Sequence, residues 1–178
     1  VRFILKKIFI FILACFSVSA FPHVLLENQE AMSGSYFKSI FKVTHGCDGS
    51  PTRQLIVEIP EGFKGAKPMV KSGWDLTVQK SKLDKSYISH KKTITEDVRR
   101  IEWSGGPLAS AYYDEFVIVG QVPDVPGNLY WKVTQVCELG KLEWVEIPSL
   151  GKSVKDYKFP AAVLKVLPLP DQHDQHKH

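Results

Sequence analysis

Leu129-Tyr130-Trp131-Lys132-Val133-Thr134-Gln135-Val136-Cys137 alternates between two kinds of residue along its whole length. Successive side chains of a strand point to opposite faces, so such a run reads as a strand with one face in a core and the other toward water. Val122-Pro123-Asp124-Val125-Pro126-Gly127 precedes it as a turn, and Leu139-Gly140 turns the chain into a second strand, Leu142–Glu146. The same grammar extends toward the amino terminus. Tyr36–Val43, Gln54–Ile59, Gly73–Gln79, Tyr87–Thr95, Val98–Trp103 and Tyr112–Val119 are aromatic or β-branched runs separated by Gly, Pro, Ser and Asp.

The remaining segments read as connections. His45 to Thr52 is a dense turn cluster, the stretch through Gly65 and Pro68 a loop, and charged Lys80 to Lys85 an exposed link. Glu96-Asp97 is the expected hairpin turn, and His45 and His90 are expected in exposed turns. No window carries an amphipathic helix of three turns. About nine short strands with such turns predict an all-β fold, an antiparallel β-sandwich. From Pro148 the regularity is lost, and Pro168 to His178 reads as a flexible, disordered C-terminal tail.

The amino terminus reads differently. Basic Arg2, Lys6 and Lys7, an apolar run from Ile8 to Phe16, and small residues Val18 and Ala20 make a secretory signal, too short to span a bilayer. Cleavage after Ala20 divides the chain into a signal at 1–20, a β-sandwich at 21–150 and a C-terminal extension at 151–178, and places the protein in the periplasm. A different reading takes Ile12-Leu13-Ala14-Cys15 as a lipoprotein box with Cys15 acylated; only then does the protein meet a membrane. The formal charge of +4 includes the three signal cations. The mature chain is therefore near neutral, and nothing in it indicates a nucleic-acid partner.

Cys47 and Cys137 remain after the signal. In an oxidising compartment two cysteines are expected to pair, closing a loop of about 90 residues; a pair of thiolate metal ligands is the alternative. Nucleophile elbows, phosphate-binding glycine loops, H-E-x-x-H and C-x-x-C are all missing from the sequence. A blue-copper site needs a free thiolate, and Met32 and Met69 lie away from any Cys/His cluster.

Cleavage after Ala20 exposes Phe21-Pro22-His23, so an imidazole lies close to a free α-amine. Amine, imidazole and carboxylate are donors that suit Cu(II). Pro22 has no N–H to lose, which blocks the square-planar peptide chelate and requires other donors to complete the sphere. His173, His176 and His178, beside Asp171 and Asp174, form at most a loose auxiliary metal trap. Trp74, Trp103, Trp131 and Trp144 are expected core residues of the sandwich.

His23-Val24 with Glu27, Gly34-Ser35-Tyr36, His45 to Thr52, Ile59-Pro60-Glu61-Gly62, Gly73-Trp74, Glu102-Trp103, Glu115-Phe116, Trp131 to Gln135 and Leu142-Glu143-Trp144 together resemble the bacterial YcnI family of exported copper-binding proteins. The resemblance implies a cupredoxin-like or immunoglobulin-like sandwich that binds Cu(II) through its amino-terminal histidine. It implies His23 as the source of amine and imidazole, Trp131 as a tryptophan beside the metal, and a carboxylate from Asp48, Glu27 or Glu115. Family members expose histidine as the first mature residue, whereas Phe21-Pro22 precede it here. The expected function is copper acquisition, trafficking or homeostasis, with copper and other periplasmic or membrane copper-handling proteins as partners. A copper-dependent oxidative enzyme and a metal-free adhesion or scaffold module are the other two readings.

Overall fold

The alternation at 129–137 is observed as burial: Leu129, Trp131, Val133, Gln135 and Cys137 face the core, and the residues between them are half-exposed. The structure, a computed structural model, describes residues 24–170. The expected signal and its cleavage site, Cys15, His23 and the tail histidines His173, His176 and His178 lie outside the described residues. The strands are β1 (Leu25–Leu26), β2 (Glu30–Met32), β3 (Tyr36–Val43), β4 (Thr52–Glu58), β5 (Lys64–Pro68), β6 (Trp74–Ser89), β7 (Lys92–Leu108), β8 (Asp114–Gln121), β9 (Gly127–Cys137), β10 (Lys141–Trp144) and β11 (Ala162–Leu167). One 3-10 turn, Val154–Asp156, is the helical element among the described residues. No helix among them is long and apolar enough to cross a membrane.

Two sheets face each other. One is four-stranded in the order β1-β3-β8-β5; the other is seven-stranded, β2-β11-β9-β4-β7-β6, with β10 pairing the second half of β9. All pairings are antiparallel except β2 with β11. The chain changes sheets between β1 and β2, which closes one corner of the sandwich. The interior is aromatic. Trp131 meets Phe41 and Phe63 edge-to-face at centroid distances of 5.4 and 4.8 Å, and Phe116 meets Trp74 and Trp103 at 5.0 and 5.4 Å. Edge-to-face contact suits rings with a negative face and a positive rim.

Four expectations are corrected. Lys80–Lys85 is the middle of β6, and the hairpin turns at His90-Lys91, both with positive φ (48° and 63°), with Ser89 paired to Lys92. Both faces of this part of the hairpin are largely solvent-exposed, so backbone pairing holds it without any apolar alternation for the sequence to display. Asp97, expected in the turn, is buried and accepts hydrogen bonds from the backbone N–H of Gly65 and the Tyr87 hydroxyl, both at 2.7 Å. The loop through Gly65 and Pro68 is β5, an edge strand where proline costs no ladder bond, irregular between Lys64 and Lys67. The sandwich does not end at 150: β11 lies between β2 and β9, with Ala162, Leu164 and Val166 buried.

The Asp97 contact makes a prediction. Burial first, then the Asp97 hydrogen bond, push the Tyr87 hydroxyl up to about 12 from 10.0. The folded protein keeps that proton longer than the unfolded chain, so the contribution is complete below pH 10 and is lost as pH rises toward 12. Ultraviolet titration is expected to show two late phenolates, Tyr87 and Tyr113, one of which disappears in Tyr87→Phe. An unchanged titration in that variant excludes the contact.

Candidate functional site at one end of the sandwich

Strand register decides which segments meet. Val43, at the end of β3, pairs with Asp114 at the start of β8, and Leu25 pairs with Lys42, so the described chain begins at this same end. Thr52, at the start of β4, pairs with both Leu108 and Cys137. The segments 44–51, 109–113 and 138–140 therefore lie at the same end of the sandwich as the first described residue, Val24, which borders a cleft with Leu26, Pro160 and Ala162.

The 44–51 segment is tightly held. Cys47 and Cys137 form the expected disulfide. Ser50 N–H donates to the Cys47 carbonyl at 2.9 Å across Asp48-Gly49, whose φ values of 48° and 86° are the left-handed pair of a type I′ turn. Gly46 N–H donates to Ser110 Oγ at 3.0 Å, tying this turn to segment 109–113. A Cβ on Gly46 would stand 1.7 Å from the Ser50 carbonyl oxygen, so no other residue fits there. The wholly buried Gln135 donates to the His45 carbonyl at 2.8 Å and to Thr52 Oγ1 at 2.6 Å. Neither Ser110 nor Gln135 carried any sequence signal of this role, because their partners lie far away in the chain.

The three candidate carboxylates occupy two places. Glu27 and Glu115 flank Lys42 on the outer face of the four-stranded sheet: Lys42 pairs with Glu115 across the ladder and its Nζ lies 3.7 Å from Glu27. The Tyr113 hydroxyl donates to Glu115, and that bond, reinforced by the charges of Glu115, Glu27 and Asp114, pushes Tyr113 up to about 12. Lys71 pairs with Asp114 and donates to the Glu115 carbonyl at 3.0 Å. Both glutamates thus already have counter-groups. Asp48 is exposed, has no side-chain partner among the described residues, and borders a cleft of about 410 Å³ with His45, Ser110, Leu142, Lys158 and Phe159.

Trp131 lies away from the 44–51 turn but near the start of the described chain: its ring meets Phe41, the ladder partner of Leu26, and its own ladder partner, Ala162, borders one cleft with Val24. Trp131 is wholly buried, six positions before Cys137, which at about 3.4 Å per residue is roughly 20 Å along the strand. Its surroundings are Phe41 and Phe63, as the packing expectation had it. The indole N–H groups of Trp131 and Trp144 are both buried without a partner among the described residues. His90 is in its hairpin turn at the other end of β6 from Trp74. No group of three or more His, Cys, Asp and Glu side chains among the described residues could hold a metal. The described residues at this end offer one carboxylate without a partner and one imidazole; His23, the expected source of amine and imidazole, directly precedes buried Val24 in the chain.

A family model described as "Domain of unknown function (DUF1775)" matches residues 23–166, from the candidate histidine to the penultimate residue of β11. No curated protein matches the chain. Among solved structures, an uncharacterised protein from Nocardia farcinica, described as having an immunoglobulin-like fold, is similar with a TM-score of 0.60 and 19% identity over 81% of this chain and 97% of that one. At that identity the likeness establishes an immunoglobulin-like sandwich and nothing about chemistry.

Proposed function

The chain belongs to the DUF1775 domain family, and from that premise we propose that it is an exported, YcnI-like Cu(II)-binding protein whose metal is held by the α-amine and imidazole donors at its amino terminus. The observation that carries this reading is positional. The described chain begins at the end of the sandwich where a disulfide-anchored turn presents Asp48, a carboxylate with no other partner. His23 would supply nitrogen donors and Asp48 an oxygen donor; Glu27 and Glu115, matched to Lys42 and Tyr113, are secondary candidates. Bound copper would be carried as Cu(II) in an N/O environment, a preference set by its tetragonal geometry and high divalent affinity. The role is binding and delivery in copper acquisition, trafficking or homeostasis in the periplasm, not catalysis.

The test is Cu(II) titration and electron paramagnetic resonance on protein exported and processed by a bacterial host, its amino terminus read by mass spectrometry. One tight equivalent with a tetragonal nitrogen/oxygen spectrum is expected, lost in His23→Ala. Equal binding by both proteins, or none by either, overturns the reading.

A further inference from the structure

We infer that the cleft between the tip of the β6–β7 hairpin and the outer face of the four-stranded sheet is a docking surface for an acidic segment of a partner polypeptide; the inference is independent of the copper reading above. The cleft, of about 320 Å³, is lined by Tyr36, Lys64, Lys67 and Val119 from the sheet and by Tyr87 and His90 from the hairpin. Strand register continues it into a cationic face. Lys38, Val119 and Lys67 are ladder partners across β3, β8 and β5, and residues directly opposite share a face, so Lys38 stands beside the cleft. Lys92 pairs with Ser89, another residue of the cleft lining, and Lys91 follows His90 in the turn.

The charge on this surface is unmatched. Lys38, Lys67, Lys91 and Lys92 are exposed and have no partner among the described residues. Of the nearby carboxylates, Asp124 is paired with Lys64 at 2.6 Å, and buried Asp97 is occupied by the Gly65 N–H and the Tyr87 hydroxyl. Asp84 borders a different cleft, with Glu61 and Arg99, and Glu96 is on the hairpin face opposite Asp97. Free ammonium groups gathered in this way are complementary to anionic groups from outside the molecule.

Shape selects the kind of anion. The two Asp97 hydrogen bonds fix the hairpin against β5, and the Lys64 ammonium lies 5.9 Å from the centre of the Tyr87 ring, so the cleft is formed before anything binds. Its cations come from both walls of a concave surface, which an extended chain can enter and a lipid surface cannot follow. The free lysines are open to solvent, where a single small anion gains little and several carboxylates along one chain add their contributions. Tyr36, 82% exposed, and Val119, 43% exposed, offer apolar surface for a side chain of that segment to cover.

The experiment uses the full chain and a fluorescein-labelled acidic peptide, Glu and Asp around a central leucine, with the corresponding Gln and Asn peptide as control. Fluorescence anisotropy is read at rising salt. Salt-sensitive binding of the acidic peptide is expected, weakened at least about tenfold in Lys38→Glu/Lys67→Glu/Lys92→Glu. The variant Lys132→Glu/Lys141→Glu/Lys165→Glu carries the same change of charge on β9, β10 and β11 and is expected to keep its affinity. Thermal melting verifies that both variants fold, and the comparison of the two peptides on the unsubstituted protein stands even if they do not. No binding of the acidic peptide, equal binding of the neutral one, or equal losses in the two variants overturns the proposal. So does binding to phosphatidylglycerol vesicles without binding to the peptide, which assigns the face to a lipid surface. A dimer in sedimentation that the first variant alone abolishes assigns it to a second copy of this chain and overturns the proposal as well.

Discussion

Trp131→Ala is expected to lower the free energy of unfolding by about 3–5 kcal/mol, the usual cost of emptying a large aromatic site in a packed core. Trp131 is 0% exposed and is the shared partner of Phe41 and Phe63, which reach it from different parts of the chain. Its removal leaves both rings without their edge-to-face neighbour and opens a void between the sheets. Against a total stability of about 5–15 kcal/mol, such a loss leaves many domains partly unfolded at physiological temperature. Trp131→Phe separates packing from hydrogen bonding. It keeps much of the ring contact and removes an indole N–H that is buried without a partner among the described residues, a group that costs about 1–3 kcal/mol to leave unmade. Urea denaturation is expected to rank the phenylalanine variant well above the alanine variant. Equal losses in the two variants would refute the packing argument. A changed copper spectrum in Trp131→Phe would place Trp131 in the metal environment, as the family resemblance implies.

Opening the Cys47–Cys137 disulfide is expected to cost about 2–5 kcal/mol and to weaken copper binding in molecules that remain folded. The cysteines are 90 positions apart, and the chain-entropy estimate for a loop of that size is about 4–5 kcal/mol. The native bridge also anchors the proposed site: Cys47 immediately precedes Asp48, and its N–H lies 2.9 Å from Cys137 Sγ. Without the covalent tie the 44–51 turn keeps its hydrogen bonds to Ser110 and Gln135 but samples more positions, so a donor set built on Asp48 is less preorganised. The measurement is denaturant unfolding of oxidised protein, reduced protein and the Cys47→Ala/Cys137→Ala double variant. Copper titration follows at a temperature where all three are folded. Equal stability would remove the bridge from the fold's support, and equal affinity would detach it from the site.

The legible parts of the molecule share one property: their signal is local. Tyr36–Val43 and 129–137 alternate because one face is buried, and that alternation can be read without knowing what they pack against. Asp48-Gly49 is a turn whose left-handed conformation both residues tolerate, and it was expected in the turn cluster. The disulfide followed from two cysteines in a chain read as exported. His90-Lys91 adopts the same left-handed pair without the Asn-Gly or Asp-Gly chemistry that usually announces it, and the hairpin was therefore placed six residues too late. β11 escaped notice because its run is short and follows an irregular stretch, although three of its residues are buried.

The sequence by itself determined an all-β sandwich, its principal strands, its disulfide, and the kinds of donor available for a metal, because strand periodicity, turn chemistry and donor type are carried by neighbouring residues. Only the tertiary structure decided that Glu27 and Glu115 are matched to Lys42 and Tyr113, that Trp131 packs against Phe41 and Phe63 in the core, and that His45 and Asp48 border one cleft. Those outcomes depend on cross-strand register, on the change of sheet between β1 and β2, and on contacts between residues as far as 90 positions apart, such as Gln135 with His45. Pairing of that kind is fixed by closing the whole sandwich, so no local pattern can announce it.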